Sequence, residues 1–370
     1  MKQHPGYHQI AVIGTHFYLD GGISNIHELG HGNINSTFLV TPAEPQKRFV
    51  LQKINTDVFH DPRLIIKNIR AITSHIGGSA HRQVLSDKRR WQLPGLLETD
   101  EGRDFFIDAE GSHWRAISFI GNAQSFDTIQ DPCHARECGY ALGIFHALLS
   151  DLPPETLADT LIGFHVTPAY LGQYDNVLAK HSVRSLPEID YCRAFIEHRR
   201  SFASVLEDAK EQGKLPLRCV HGDPKINNIM IDNDSLQAVS IVDLDTVKPG
   251  LVHYDIGDCL RSGCNPAGEE TENWEAVEFD TDMCRAILQG YLAKAGEFLT
   301  QHDSAYIYDA IRLLAFELGL RFFSDYLAGN VYFRVDSPDH NLRRALVQFK
   351  LVESIETREK IIRRIVKEFT

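Results

Sequence analysis

The sequence predicts an α+β fold of two lobes: a β-rich N-terminal lobe over residues 1–118 and a larger, mainly helical lobe over residues 119–370. Strand-like apolar runs bounded by turn residues crowd the first third. Apolar residues at helical spacing dominate the remainder. One short β-hairpin interrupts that helical part, and it carries the densest cluster of chemistry-bearing residues in the chain.

Taken in order, residues 8–20 read as a short helix. A Gly/Asn-rich stretch follows at Gly30-His31-Gly32-Asn33-Ile34-Asn35. Residues 36–41 read as a strand, the Pro-Ala-Glu-Pro-Gln segment as a turn and residues 48–53 as a second strand, so the pair forms a hairpin. Leu64, Ile65, Ile69, Ile72 and Ile76 recur at helical spacing and predict a helix over 61–76. Runs at 104–107 and 114–120 complete the strands of this lobe, and the segment from Trp114 to Asn122 should link the lobes. Beyond it, helices are expected near 134–150, 188–212, 280–298, 303–328 and 340–368. Residues 228–231 and 238–242 read as the arms of the interrupting hairpin, turned at Asp232-Asn233-Asp234.

Bulk properties exclude several classes. The 370 residues carry a formal net charge of −12, which argues against a nucleic-acid binder but not against a nucleotide ligand. The 7 cysteines are odd in number and contain no C-x-x-C pair, which argues against a disulfide framework or structural zinc and fits a reducing compartment. No apolar run approaches the ~20 residues that span a bilayer, and the N-terminal stretch lacks a secretory apolar core. These features predict a cytoplasmic protein, a monomer or weak homodimer, that engages neither membrane nor nucleic acid.

The strongest signal is Val220-His221-Gly222-Asp223-Pro224-Lys225-Ile226-Asn227-Asn228-Ile229-Met230-Ile231, followed by Asp243 in Ile241-Val242-Asp243-Leu244-Asp245. It matches the loop pattern His-x-Asp-x-x-x-x-Asn with a downstream metal-binding Asp. Phosphoryl transfer needs a carboxylate at the attacking hydroxyl, to orient it and accept its proton; Asp223 is placed for that role. It also needs Mg2+ on the nucleotide phosphates, held by oxygen ligands, here Asn228 and Asp243. Asn227 competes for the ligand role, and the spacing of five from Asp223 selects Asn228. Lys225 is a candidate for neutralising the transferring phosphate. The expectation is an ATP- and Mg2+-dependent kinase of protein-kinase-like, bilobal fold.

At these residues the chain resembles the aminoglycoside phosphotransferase and choline kinase superfamily. Segments such as GHGNINSTFLVT, HGDPKINNIMID, IVDLDTVKPG and YDIGDCLR carry the likeness across nearly the whole length. The C-terminal stretch ELGLRFFSDYLAGNVYF with DHNLRRALVQFKLVE resembles the N-acetylhexosamine 1-kinase branch. The resemblance implies that Asp223 is catalytic, that Asn228 and Asp243 hold metal, and that Asp255 braces the site. It also implies transfer of the ATP γ-phosphate to the anomeric hydroxyl of N-acetylglucosamine or N-acetylgalactosamine. The chain departs from the protein-kinase pattern at Asn35, where a third glycine would stand. It departs again in the helix centred on Asn68-Ile69-Arg70-Ala71, which offers no Glu to pair with a strand lysine.

Secondary sites follow. Gly30 and Gly32 precede a strand, so their amides are candidates to cover phosphates. Lys53 ends a strand with the register of the kinase Val-Ala-Ile-Lys strand and would meet the phosphates, with Gln52 the candidate if the register slips by one. Glu317, Arg321 and Asp325 share one helix face at i, i+4 and i+8, as either an ion-pair ladder or a polar wall for sugar hydroxyls. Arg321 and Tyr332 are the substrate-binding candidates there, and His165 reads as a packing residue. A sulfatase-type hydrolase is the reading from another class: Cys264-Asn265-Pro266-Ala267-Gly268 begins like Cys-x-Pro-x-Arg but ends in glycine. A kinase-like module without activity is disfavoured, because the catalytic Asp and both metal ligands are present.

Overall fold

The computed structural model describes residues 6–17, 22–29, 34–43, 48–78, 89–180 and 186–370. The N-terminal region builds one antiparallel sheet from β1 (Ile23–Glu28), β2 (Ser36–Pro42), β3 (Phe49–Lys53), β4 (Leu96–Leu97), β5 (Phe106–Ile107) and β6 (His113–Ser118). The strand order is β1-β2-β3-β6, and both β4 and β5 pair with β6. On its outer face Val40, Phe49, Leu51, Trp114 and Ala116 pack with Ile13 and Phe17, which lie on or just after helix α1 (Gly6–Thr15). That helix is shorter than the expected 8–20, and residues 18–20 fall outside the described set.

Helix α2 (Pro62–Ile76) starts as its sequence demands: the Asp61 side chain accepts from Arg63 N and Pro62 takes the first turn. Its buried face, Ile65, Ile66, Ile69 and Ile72, joins the core of the large lobe. Asn68 sits on that face, fully buried. Its amide nitrogen donates to Ala158 O and Val247 O, both at 2.8 Å, and its oxygen accepts from Ala158 N at 2.9 Å. Where a protein kinase uses a glutamate, this chain uses an amide that docks the helix on the large lobe.

The chain crosses over and forms β7 (Ala123–Gln124), then α3 (Pro132–Leu148), α4 (Thr167–Lys180), α5 (Pro187–Arg199) and α6 (Val205–Glu211). Strands β8 (Arg218–Val220), β9 (Ile229–Asp232), β10 (Ala238–Ile241) and β11 (Lys248–Gly250) make two small sheets, β10-β9-β7 and β11-β8. Helices α7 (Val252–Gly263), α8 (Thr281–Ala295), α9 (Gln301–Ala305), α10 (Ile307–Leu327), α11 (His340–Thr357) and α12 (Glu359–Phe369) complete the lobe. This is the expected α+β architecture with a β-sheet lobe and a helical lobe. The helix expected over 188–212 is broken by a 3-10 turn, and that over 340–368 breaks at Arg358. Among the described residues no helix is long and apolar enough to cross a membrane.

Candidate active site

The β9–β10 hairpin positions the core of the site. Ile229 pairs with Ile241 at its open end, and Val242 N donates to Asn228 O at 2.8 Å. Asn228, just before β9, and Asp243, just after β10, are therefore fixed side by side. Asn227 is exposed, whereas Asn228 is buried with its amide nitrogen donating to Asp223 O at 2.7 Å and Asp223 Oδ2 at 3.3 Å. That geometry separates the two asparagines and leaves the Asn228 oxygen for a cation. Lys225 Nζ lies 3.0 Å from Asp223 Oδ2, and this carboxylate raises the lysine pKa.

The loop that presents Asp223 is braced from below. Asp255, wholly buried on the first turn of α7, accepts from His221 N at 2.6 Å and Gly222 N at 2.8 Å. His146 Nε2 meets the same carboxylate at 2.8 Å. Burial alone would push Asp255 up, but His146 and the two amides hold it below the usual carboxylate range. Gly222 has φ +88°, and a Cβ there would lie 2.6 Å from Thr246 O, so only glycine fits this turn. His165, expected to pack, does more. Its Nε2 meets Gly222 O at 2.7 Å and its Nδ1 meets Glu317 Oε1 at 2.9 Å. Thr167 Oγ1 donates to the other Glu317 oxygen at 2.7 Å. Burial lowers the His165 pKa, Glu317 more than offsets it, and the net shift is upward.

Asp243 adopts a left-handed backbone with φ +65°, uncommon outside glycine and least costly for Asp and Asn. Its carboxylate opens to the cleft and makes no hydrogen bond or ion pair among the described residues. The surrounding protein mass, then the like charges of Asp245 and Asp223, push its pKa to about 7. A carboxylate in that position is stabilised by a cation. Asp243 and the Asn228 oxygen fit Mg2+, which takes few protein ligands and fills its octahedron with phosphate oxygens and water.

The small-lobe roof differs from expectation. Strand side chains alternate between faces. Phe49 and Leu51 point into the outer cluster, and Lys53 follows them, with its Nζ 5.9 Å from the centre of the Trp114 ring. The assignment of Lys53 to the phosphates is therefore corrected: it lies on the face away from the cleft. Gln52 takes the inner face, donates to Thr37 and accepts from Arg115 on β6. Arg115 in turn pairs with Asp245 of the large lobe, and Asn35 Nδ2 donates to that carboxylate at 2.6 Å. Arg115 was missed at the sequence level, although one charged residue inside the apolar run Trp114–Ile120 signals it. Gly30 and Gly32 lie outside the described residues.

On the large-lobe side, α10 presents Arg321. Its guanidinium lies 5.0 Å from the Phe164 ring centre, 5.1 Å from Tyr170 and 5.4 Å from Phe333. None of its N–H groups has a hydrogen-bond or ion-pair partner among the described residues. The charges of Glu317 and Asp223 act on it, which places it beside the site. Its helix-face neighbours are spent on structure. Glu317 holds His165 and Thr167, and Asp325 accepts from the backbone of Val331, Tyr332 and Phe333 and from Asn341. Those bonds fix the loop bearing Tyr332, whose side chain is exposed and whose ring meets Phe333 edge-on. The 317/321/325 face is thus neither an ion-pair ladder nor a shared sugar wall; Arg321 alone is unspent. Cys264, the hydrolase candidate, is fully buried, and burial raises its thiol well above its ordinary value, so it is no nucleophile. A cavity of about 660 Å3 lies elsewhere, bordered by Leu292, Tyr308, Val366 and Phe369, and none of the site residues lines it.

Comparison with solved structures shows the same fold in other proteins. The chain is similar to a microcompartment-associated aminopropanol kinase, with TM-score 0.65, 16% identity, and 96% of this chain and 98% of that one covered. It is similar to the spectinomycin phosphotransferase solved with ADP and spectinomycin, with TM-score 0.58, 12% identity, and 95% and 98% covered. A choline kinase from Cryptosporidium parvum Iowa II gives TM-score 0.58 at 14% identity, with 92% and 91% covered. The model of the phosphotransferase enzyme family matches residues 25–298, which takes in the sheet, the hairpin and the brace of Asp255 but ends before Arg321. The chain belongs to the phosphotransferase enzyme family.

Proposed function

We propose that the chain is an ATP- and Mg2+-dependent kinase that phosphorylates the anomeric hydroxyl of an N-acetylhexosamine, N-acetylglucosamine or N-acetylgalactosamine. Asp223 orients the acceptor hydroxyl and takes its proton as the new oxygen–phosphorus bond forms and the bond to the ADP oxygen breaks. Bound Mg2+ supplies the charge that shields the phosphate oxygens. Asn228 and Asp243 would hold that ion, and Lys225, 3.0 Å from Asp223, is placed to neutralise the phosphoryl group as it passes to the acceptor oxygen. His146, His165 and Asp255 keep the loop in the geometry the reaction needs.

The observation that carries the choice of acceptor is Arg321, a guanidinium among aromatic rings with its donors unspent. It would repel choline or an aminoglycoside ammonium. It suits an acceptor rich in carbonyl and hydroxyl oxygens, with the rings of Tyr170 and Tyr332 beside a sugar face. The anomeric position comes from the hexosamine-kinase resemblance of the same C-terminal stretch. The test is incubation with Mg-ATP and a panel of N-acetylglucosamine, N-acetylgalactosamine, choline and kanamycin, with phosphorus NMR on the products. An acid-labile sugar 1-phosphate is expected. Faster turnover of choline or kanamycin, or phosphate on the 6-hydroxyl, contradicts the reading.

A further inference from the structure

A nucleotide phosphate lying under the small-lobe sheet needs a donor on the sheet's inner face, and β3 offers no cation there. Lys53 is on the outer face, over Trp114. The inner-face residue of β3 is Gln52, and its cross-strand neighbour is Arg115. Arg115 is 1% exposed. Its Nε and Nη2 donate to Gln52 Oε1 at 3.0 and 2.8 Å, and Nη2 also meets Asp245. Asp245 is closed off on its other oxygen by Asn35. Of the planar fork only Nη1 remains, and it is buried with no hydrogen-bond partner among the described residues.

Buried donors are nearly always paired, so an orphan N–H on a charged group asks for an acceptor. Two of the three nitrogens are held rigidly by neighbours that make no other demand on the third. This is how a binding group is kept ready: a locked rotamer with one free edge. The location agrees, since Asp245, which Arg115 holds, lies two residues after Asp243, the carboxylate assigned to the phosphate-bound cation.

We propose that Arg115 is the phosphate-contacting cation of the small lobe, its Nη1 donating to a phosphate oxygen of a nucleoside di- or triphosphate while Gln52 and Asp245 fix its orientation. This rests on the nucleotide reading above, but not on the identity of the acceptor. An arginine on β6 thus takes the place that the strand pattern assigns to a lysine on β3. The alternative is that Arg115 only clamps the two lobes through Asp245.

Calorimetric titration of the full chain with Mg-ADP and with adenosine separates the two, because adenosine has the base and ribose but no phosphate. In Arg115→Met, ADP affinity falls about 10- to 100-fold, the scale of a charge-assisted hydrogen bond, while adenosine affinity stays within about twofold. Arg115→Lys keeps the charge, loses the fork and lies between. Lys53→Met leaves both ligands unchanged. Equal losses for both ligands in Arg115→Met overturn the proposal and leave a clamp. Selective loss of ADP in Lys53→Met overturns it as well. If Arg115→Met does not fold, the ratio of ADP to adenosine affinity in Arg115→Lys decides, and an unchanged ratio refutes the contact. A wild-type chain that binds neither ligand overturns the nucleotide reading and this contact with it.

Discussion

The floor of the cleft and its acceptor-side wall are built by opposite rules. On the floor, polar groups are spent on one another: Asp255 holds two backbone amides and His146, His165 holds Gly222, and Asn228 holds Asp223. On the wall, Arg321 keeps its donors unspent among three aromatic rings. A satisfied network is rigid before any ligand arrives, which suits groups that must be placed to within a fraction of an ångström. An unsatisfied cation at a cleft is an invitation to an acceptor. The two regions also differ in what the family model covers, since it includes the floor and stops short of Arg321. On the proposed function, transfer chemistry falls to residues inside the matched range and acceptor choice to Arg321 outside it.

Substitutions sharpen that contrast. The largest effect is expected from Asp223→Asn, which should lower kcat by about 10²–10⁴-fold while Mg-ADP binding, read by calorimetry, stays near wild type. A variant that turns over at close to the wild-type rate removes Asp223 from the chemistry. Asp255→Asn strikes the brace and should lower stability by about 3–5 kcal/mol, as for a buried charge network robbed of one member. Denaturant melts check it, and an unchanged midpoint means that the brace is ornamental. Asp243→Ala should raise the Mg2+ concentration needed for half-maximal rate by about tenfold or more, whereas Asn227→Ala should leave it unchanged. A shift in the second variant alone would exchange the asparagines.

The smallest effect is a pH dependence. The folded-state pKa of His165 is raised by Glu317. Its protonation therefore stabilises the fold fully below the unfolded histidine value of about 6.5, and that contribution fades as pH rises through the higher folded value. Glu317→Gln should remove the dependence. The Tm gap between wild type and variant should be widest in mild acid and should narrow on the alkaline side. A gap that widens with pH would mean that the pair is neutral.

Much of the floor was legible because its chemistry fixes residue types and spacing together. His221, Asp223, Asn228 and Asp243 lie on a turn and a hairpin whose own strand signals are local. The brace was less legible, because His146, His165 and Glu317 come from three helices or loops distant in sequence. The small lobe shows where pattern misleads. Both faces of β3 are apolar over Phe49–Leu51, so alternation alone did not say which face meets the cleft, and Lys53 went to the wrong one. Helix α7 was also missed: its polar residues Asp255, Asp258 and Arg261 recur at i, i+3 and i+6, but they face the protein interior rather than solvent. Strands β8 and β11 are too short at three residues each to register as a pattern.

The central claim is that chemistry and acceptor choice sit on separate walls, and Arg321→Met tests it most directly. With the wild type and this variant, acceptor and ATP are each varied at saturating partner. The account predicts that the acceptor KM rises by about 10- to 100-fold while the ATP KM and the Mg2+ requirement hold. A variant whose ATP KM rises with the acceptor KM, or whose kcat falls at unchanged acceptor KM, would contradict the separation.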